Sequence, residues 1–218
     1  MHQVRLDALR ARLNAAEAHF RTETALISGR TTWVVEIKAP HLAMAQHACG
    51  ADWIVAVRPA LDESHALVPP PSSLILGAGI PILLAPDAAP PLLARRIVVG
   101  WHNGRAAQRA IADAMPLLCD AERVHLVSID VDGPEPSAQE SLMEVHRRLR
   151  LRGCVVEAES RPLCWPGAAA TLANLADNYD ADLIVIGGFS RMHLPRNFAD
   201  SLSAELIEHC SRWLLLSH

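Results

Sequence analysis

The sequence lacks the features that would direct it to nucleic acid or to a membrane. Its 218 residues carry a formal net charge of −4, so there is no basic field of the kind that nucleic acid or an anionic membrane selects. No apolar run approaches the roughly 18 residues that a membrane span needs. The charged, amphipathic start has no hydrophobic region of the secretory type. We therefore expect neither a nucleic-acid partner nor a membrane partner.

The cysteines lack any CxxC spacing, and their number, five, is odd. They are scattered along the chain: Cys49, Cys119, Cys154, Cys164 and Cys210. This scatter is typical of reduced thiols in a cytoplasm, and no spacing matches a zinc-ligand pattern. We therefore expect a cytoplasmic protein without a metal site.

A recognisable catalytic motif is also lacking. Ser190 lies in Gly-Gly-Phe-Ser-Arg, which is not the Gly-x-Ser-x-Gly turn of serine hydrolases, and no base and acid can be proposed for it. Asp52 and Asp182 precede predicted strands and are typical turn residues. We expect a protein that is not an enzyme, with weak ATP hydrolysis left open.

What the sequence does contain is a regular alternation of strands and helices over residues 95–218. Apolar runs of strand length without polar alternation indicate strands that are buried on both faces. Strands are predicted at 96–101, 124–129, 154–158, 183–186 and 214–216. Helices are predicted at 105–118, 137–152 and 167–179, with a fourth after Asn197. The alternation predicts a doubly wound parallel α/β domain with right-handed crossovers.

Residues 1–86 show a related but shorter pattern. Helices are predicted at 4–22, 40–49 and 72–76, and strands at 31–37, 51–57 and 80–84. Residues 85–94 contain three prolines and are typical of an extended linker. Residues 58–61, after the second of these strands, have no glycine for a phosphate loop, so a structural role is expected for this half.

An internal repeat relates the two halves. A shift of 130 residues aligns 41–57 with 171–187 with six identities, at the same boundary between helix and strand. The chain therefore reads as a tandem of two units, of which the first lacks its first two strands. Either the first unit is a genuine degenerate half, or this sequence starts downstream of the true start. We favour a degenerate unit. The exposed strand edge needs a partner, and we expect 80–84 to pair with 213–217, and 31–37 to lie beside 51–57.

The last stretch, 181–218, carries a family resemblance. A buried strand, the turn Gly187-Gly188, a polar loop, a helix and a strand follow one another, a layout that places a ligand beyond the carboxyl end of a parallel strand. The tail resembles universal stress protein domains, small α/β folds with five parallel strands. ATP-binding members carry Gly-x-x-Gly, nine residues, then Gly-Ser or Gly-Thr. The corresponding positions in this sequence are Gly187, Ser190, Asp200 and Ser201. Only Gly187 and Ser201 match the residue types of the motif.

The resemblance implies an open sheet of order 3-2-1-4-5 in residues 95–218 and a partial related unit in residues 1–86. It places a nucleotide over the carboxyl ends of the first and fourth strands of the complete unit, and implies a homodimer. ATP-binding members usually have Asp where His102 stands, although a solvent-exposed loop histidine is the simpler interpretation. The candidate ligand-binding residues are Gly100, Trp101, His102, Gly187, Gly188, Ser190, Arg191 and Ser201.

Asp200 decides between two functions. A carboxylate facing a triphosphate at about 4 Å costs roughly 4 kcal/mol, or about a thousandfold in affinity, of which nearby arginines could recover part. The simpler interpretation, which we favour, is that Asp200 is the N-cap of a helix starting at Ser201. We therefore favour a non-catalytic universal stress response protein that binds a protein partner or ligand, without a cofactor. The alternative is an ATP- or adenine-nucleotide-binding member with weak or no hydrolysis. An enzyme resembling adenine-nucleotide α-hydrolases would need a motif that is not found.

Overall fold

The computed structural model describes residues 2–58, 77, 79–86, 90–130, 133, 135–163, 166–188 and 198–218. Two compact units, Met1–Lys38 and Ala39–His218, make up the chain. The helix predicted at 72–76 lies outside the described residues. Among the residues that are described, no helix has the length and apolar character needed to cross a membrane.

The first unit is helical. Helix α1 spans His2–Glu23, and a 3-10 segment spans Ala25–Arg30. The ring of Phe20 packs against the ring of Trp33, with the two ring centroids 5.4 Å apart. The strand predicted at 31–37 is wrong, because these residues form neither strand nor helix. Their β-branched composition favours a strand, but a strand also needs a neighbour, and within the described residues none pairs with them. The predicted pairing of 31–37 with 51–57 is therefore not formed either.

The second unit is built on one seven-stranded sheet. Its strands are β1 Ile54–Val57, β2 Ile82–Ala85, β3 Arg96–Trp101, β4 Arg123–Asp130, β5 Val156–Pro162, β6 Leu183–Gly187 and β7 Trp213–Ser217. Their order is β1-β2-β7-β6-β3-β4-β5, and only the β2–β7 pair is antiparallel. The five strands from β3 onward follow the order 3-2-1-4-5, so the predicted fold class is confirmed.

Helices cover both faces of this sheet. They are α2 Pro40–Ala48, α3 Arg105–Asp120, α4 Pro136–Leu151, α5 Ala168–Asn178 and α6 Phe198–His209. Buried side chains of α3 and α4 form one core with Val99 and Val185 of the sheet. Those of α2, α5 and α6 form a second core with Val98 and Ile184. Strands with apolar residues on both faces must be covered twice, which explains the continuous hydrophobic runs in the sequence.

The two halves of the sheet meet at β2 and β7. Leu83 pairs with Leu215 and Leu84 with Leu214 in an antiparallel ladder, and all four side chains are buried. The predicted pairing of 80–84 with 213–217 is confirmed. The assignment of residues 1–86 and 95–218 as two related units stays a prediction.

Candidate functional site

The carboxyl ends of β3 and β6 lie side by side near the middle of the sheet. Gly100 of β3 is in register with Ile186 of β6. The helix that follows β3 is α3, which packs in one core, whereas α6 follows β6 and packs in the other. Strands whose following helices leave on opposite faces create a crevice, and this is where open α/β sheets bind ligands. We call this place the β3–β6 crevice.

Gly187 lies at this crevice and is held by close packing. A Cβ atom there would lie 2.5 Å from the carbonyl carbon of Ala106 and from the nitrogen of Ala107. Both residues belong to the first turn of α3, and backbone atoms cannot rotate away as a side chain can. Glycine is therefore required for α3 to approach β6, with or without a ligand.

Gly100 has a similar but softer constraint. A Cβ atom at Gly100 would lie 2.9 Å from Cγ2 of Ile186 and 3.0 Å from Cδ1 of Leu172, on α5. The atoms that it would meet belong to side chains. Gly100 thus allows α5 to pack closely over the centre of the sheet.

Trp101 and His102 have opposite environments. Trp101 is 5% exposed and belongs to the core under α3 and α4, where its indole Nε1 donates to Ser141 Oγ at 3.2 Å. His102 is exposed, as expected of a loop histidine. The next element, α3, has Gly104 as its N-cap residue, which has no side chain to cap the helix. Of the two candidate side chains, only His102 is open to a ligand.

A polar network ties Gly188 to the end of β7 and to α3. Its N–H donates to the carbonyl oxygen of Ser217 at 2.7 Å, and its own carbonyl oxygen lies 3.2 Å from Nδ1 of His218. Ser217 Oγ donates to Asp113 Oδ2 at 2.6 Å, and Arg109 Nε donates to the same oxygen at 2.9 Å. The spacing of Arg109 and Asp113 by four residues predicts a helical ion pair from the sequence alone. The hydrogen bond between Asp113 and Ser217 joins residues 104 positions apart, so no local sequence pattern predicts it.

A second polar group lies at the carboxyl ends of β4 and β5. Ser160 Oγ donates to Asp130 Oδ2 at 2.6 Å. Ser128 is buried beside Ser160 in the ladder and is in register with Trp101 on its other side. Sequence reasoning missed this group, because the residues belong to separate strands. It lies at the same edge of the sheet as the crevice.

The remaining candidate residues are only partly placed. Ser190 and Arg191 lie outside the described residues, and Ser201 is placed by its backbone alone, in the first turn of α6. The prediction that Asp200 caps this helix is wrong, because α6 begins at Phe198 and Asp200 lies inside its first turn. In the described part of the chain, no group of three or more His, Cys, Asp or Glu residues is placed to hold a metal ion.

Comparison with known proteins identifies the fold. No family model and no curated protein matches the chain. A universal stress protein from Archaeoglobus fulgidus DSM 4304 superimposes with a TM-score of 0.73 at 13% identity, over 97% of this chain and 78% of that one. A protein of unknown function from Pseudomonas aeruginosa PAO1 matches with a TM-score of 0.56 at 18% identity, over 95% and 77%. Identities this low show the fold alone, and the chain has the universal stress protein fold.

Proposed function

We propose that this chain is a non-catalytic member of the universal stress protein family that binds a protein partner or a small ligand. The observation that carries the proposal is the packing at Gly187. The resemblance assigns this glycine to a phosphate loop, but the α3 backbone 2.5 Å from its Cβ position already requires a glycine there. The residue is therefore no evidence for a bound nucleotide.

The membership itself is supported by topology. The strands β5-β4-β3-β6-β7 follow the family order, and β2 pairs antiparallel with β7, as the fifth strands of two copies do in family dimers. Within this chain, β2 occupies the edge of β7 that a second copy would use. The expected homodimer would therefore have to form through another surface.

The expected weakness of the nucleotide site comes from charge. Asp200 stands where ATP-binding members have glycine, in the first turn of α6. A helix N-terminus favours anions, and an acidic residue in its first turn opposes a second anion there. The cost of one such pair at about 4 Å is roughly 4 kcal/mol at an effective dielectric of about 20. We therefore expect ATP to bind weakly or not at all.

The experiment is a calorimetric titration of Mg-ATP into the wild type and into Asp200→Asn. The wild type should give no saturable heat, and the variant should gain affinity by up to about a thousandfold. Glu208→Gln is the matched control, since it removes the same charge from the far end of α6, where the residue is exposed. Low-micromolar binding by the wild type would overturn the proposal, as would equal gains in both variants. Gly187 is unsuitable for a binding variant because any side chain there displaces α3.

The alternative is an adenine-nucleotide-binding protein with weak or no hydrolysis. The exposed His102 favours it, because the residue follows β3 directly at the crevice and precedes a helix that no side chain caps. Ser190, Ser201 and the nearby arginines would then replace the usual cradle. Retention of nucleotide by the purified protein separates the two functions.

A further inference from the structure

Two cysteine side chains meet on the side of the molecule away from the crevice. Cys119 lies in the last turn of α3, and Cys154 lies two residues before β5. Their sulfur atoms are 3.5 Å apart. Cys119 is exposed, whereas Cys154 is buried. The pair is invisible in the sequence, because 35 positions separate its members.

The turn between α4 and β5 holds Cys154 in place. Gly153 adopts a positive φ of 89°, which reverses the chain after the helix. The N–H of Cys154 then donates to the carbonyl oxygen of Leu149 at 3.1 Å, and Cys119 Sγ lies 3.7 Å from the carbonyl oxygen of Arg152. Cys154 is thus fixed by its backbone, while the exposed side chain of Cys119 has room to rotate. A disulfide needs the sulfurs at about 2.05 Å, so they must approach by about 1.5 Å from the 3.5 Å that separates the two thiols.

We propose that Cys119 and Cys154 form a reversible intramolecular disulfide when the protein meets a hydroperoxide. The thiolate of Cys119 attacks a peroxide oxygen, the O–O bond breaks, and the leaving hydroxide is protonated to water. Cys119 becomes a sulfenic acid. Cys154 loses its proton, its thiolate attacks Cys119 Sγ, the S–O bond breaks, and the departing hydroxide is protonated to water. Two thiols and one hydrogen peroxide thus give one disulfide and two waters, with two electrons passing to the peroxide.

The order of the two steps follows from exposure. Only Cys119 is open to a peroxide in solution. Burial, with the hydrogen bond to Cys119, raises the pKa of the Cys154 thiol to about 11, so Cys154 stays protonated at neutral pH. Since the thiolate is the nucleophile, closure of the disulfide should become faster as the pH rises towards that pKa. Its rate should rise about tenfold per pH unit below that pKa.

The disulfide would join the end of α3 to the turn that precedes β5. A cross-link that closes a long loop stabilises mainly by restricting the unfolded chain. The oxidised protein should therefore have a higher Tm than the reduced protein. Cys49 serves as an internal comparison for Cys119. It is also exposed, but its sulfur lies 3.7 Å from the backbone carbonyl oxygen of Ala45 and not against another sulfur.

The test is peptide mapping of the full chain after treatment with hydrogen peroxide and alkylation of the remaining thiols. Trypsin alone leaves Cys154 and Cys164 in one peptide, because Pro162 follows Arg161, so glutamyl endopeptidase is added. We expect a cross-linked pair of peptides containing Cys119 and Cys154, lost on reduction and unchanged in Cys49→Ser and Cys164→Ser. In Cys154→Ser, oxidation should stop at a sulfenic acid on Cys119 that dimedone traps.

Two results would overturn the inference. One is oxidation of Cys49 under conditions that leave Cys119 and Cys154 as free thiols. The other is a cross-link that joins Cys119 to a different cysteine in the wild type. Cys119→Ser changes an exposed position and should fold. A peroxide-induced rise in its Tm equal to that of the wild type would show that this disulfide is not the cause.

Discussion

Strands β1 and β6 are aligned by the internal repeat and share two successive residues, but their surroundings are very different. Val55 and Val185 occupy the same position of the internal repeat, yet Val55 is 61% exposed and Val185 is 0% exposed. Strand β6 lies between β3 and β7, with helices on both faces, whereas in the described residues β1 pairs only with β2. The repeated segment therefore encodes a helix and a strand, and the neighbouring elements decide how much of that strand is buried.

The ends of the two repeated helices show the same difference. Tyr179, after α5, stacks on His125 of β4 with ring centroids 3.7 Å apart and an angle of 5°. Its hydroxyl donates to Glu159 Oε1. Cys49 stands at the same repeat position after α2 and is exposed. At this repeat position the large aromatic residue is Tyr179, for which β4 and β5 supply the stacking and hydrogen-bonding partners.

The largest effect is expected at the antiparallel pair of β2 and β7, which connects the two halves of the sheet. Leu215→Ala should lower the free energy of unfolding by about 2–5 kcal/mol, because the side chain is fully buried and faces its partner across the antiparallel pair. Urea denaturation measures the loss. Leu93→Ala, at an exposed position of the same residue type, is the control and should change stability by less than about 0.5 kcal/mol. Equal losses would mean that the two halves are not joined by this ladder.

The next effect compares the glycines at the carboxyl ends of β6 and β3. Gly187→Ala should cost about 3 kcal/mol, since its Cβ meets the backbone of α3. Gly100→Ala should cost about 1 kcal/mol, because the atoms it meets are side-chain methyl groups that can shift. Thermal denaturation of both variants gives the ranking. A harmless Gly187→Ala would show that α3 is not packed against β6 as described.

A smaller effect tests the repeat directly. Val185→Ala should cost about 2 kcal/mol, from lost burial and the cavity left behind. The same change at Val55 should cost about 0.5 kcal/mol, because the side chain is already largely in water. If the two losses agree, β1 is covered in solution and the contrast between the halves fails.

The smallest effect concerns His125, on β4, for which the described residues before β3 show no counterpart. Burial lowers its pKa below the ordinary 6.5, and Arg123 lowers it further, while Glu157 raises it. The unfolded chain therefore takes up a proton more readily than the folded protein. The associated stability is present above about pH 6.5 and is lost as the pH falls through the folded pKa. His125→Phe keeps a ring against Tyr179 and should lose less stability than the wild type between about pH 7.5 and pH 5.

Much of the fold could be predicted from local sequence, because continuous apolar runs such as 183–186 mark strands buried on both faces. The junction of β2 with β7 followed from an edge that needed a partner. The strand at 31–37 was wrong because composition does not reveal whether a neighbouring strand exists. In the candidate site, Gly187 ends β6, where the sequence predicts a turn, but its packing on α3 depends on contacts 81 positions away along the chain. The same is true of the Ser217–Asp113 bond and the Cys119–Cys154 pair, which only the folded chain brings together.

The measurement that tests the account most directly is mass analysis of whatever the purified, denatured protein releases. If Asp200 opposes phosphate and Gly187 serves packing, the protein should release no nucleotide. Stoichiometric ATP or another adenine nucleotide in the released fraction would contradict the account. The β3–β6 crevice would then be an occupied nucleotide site.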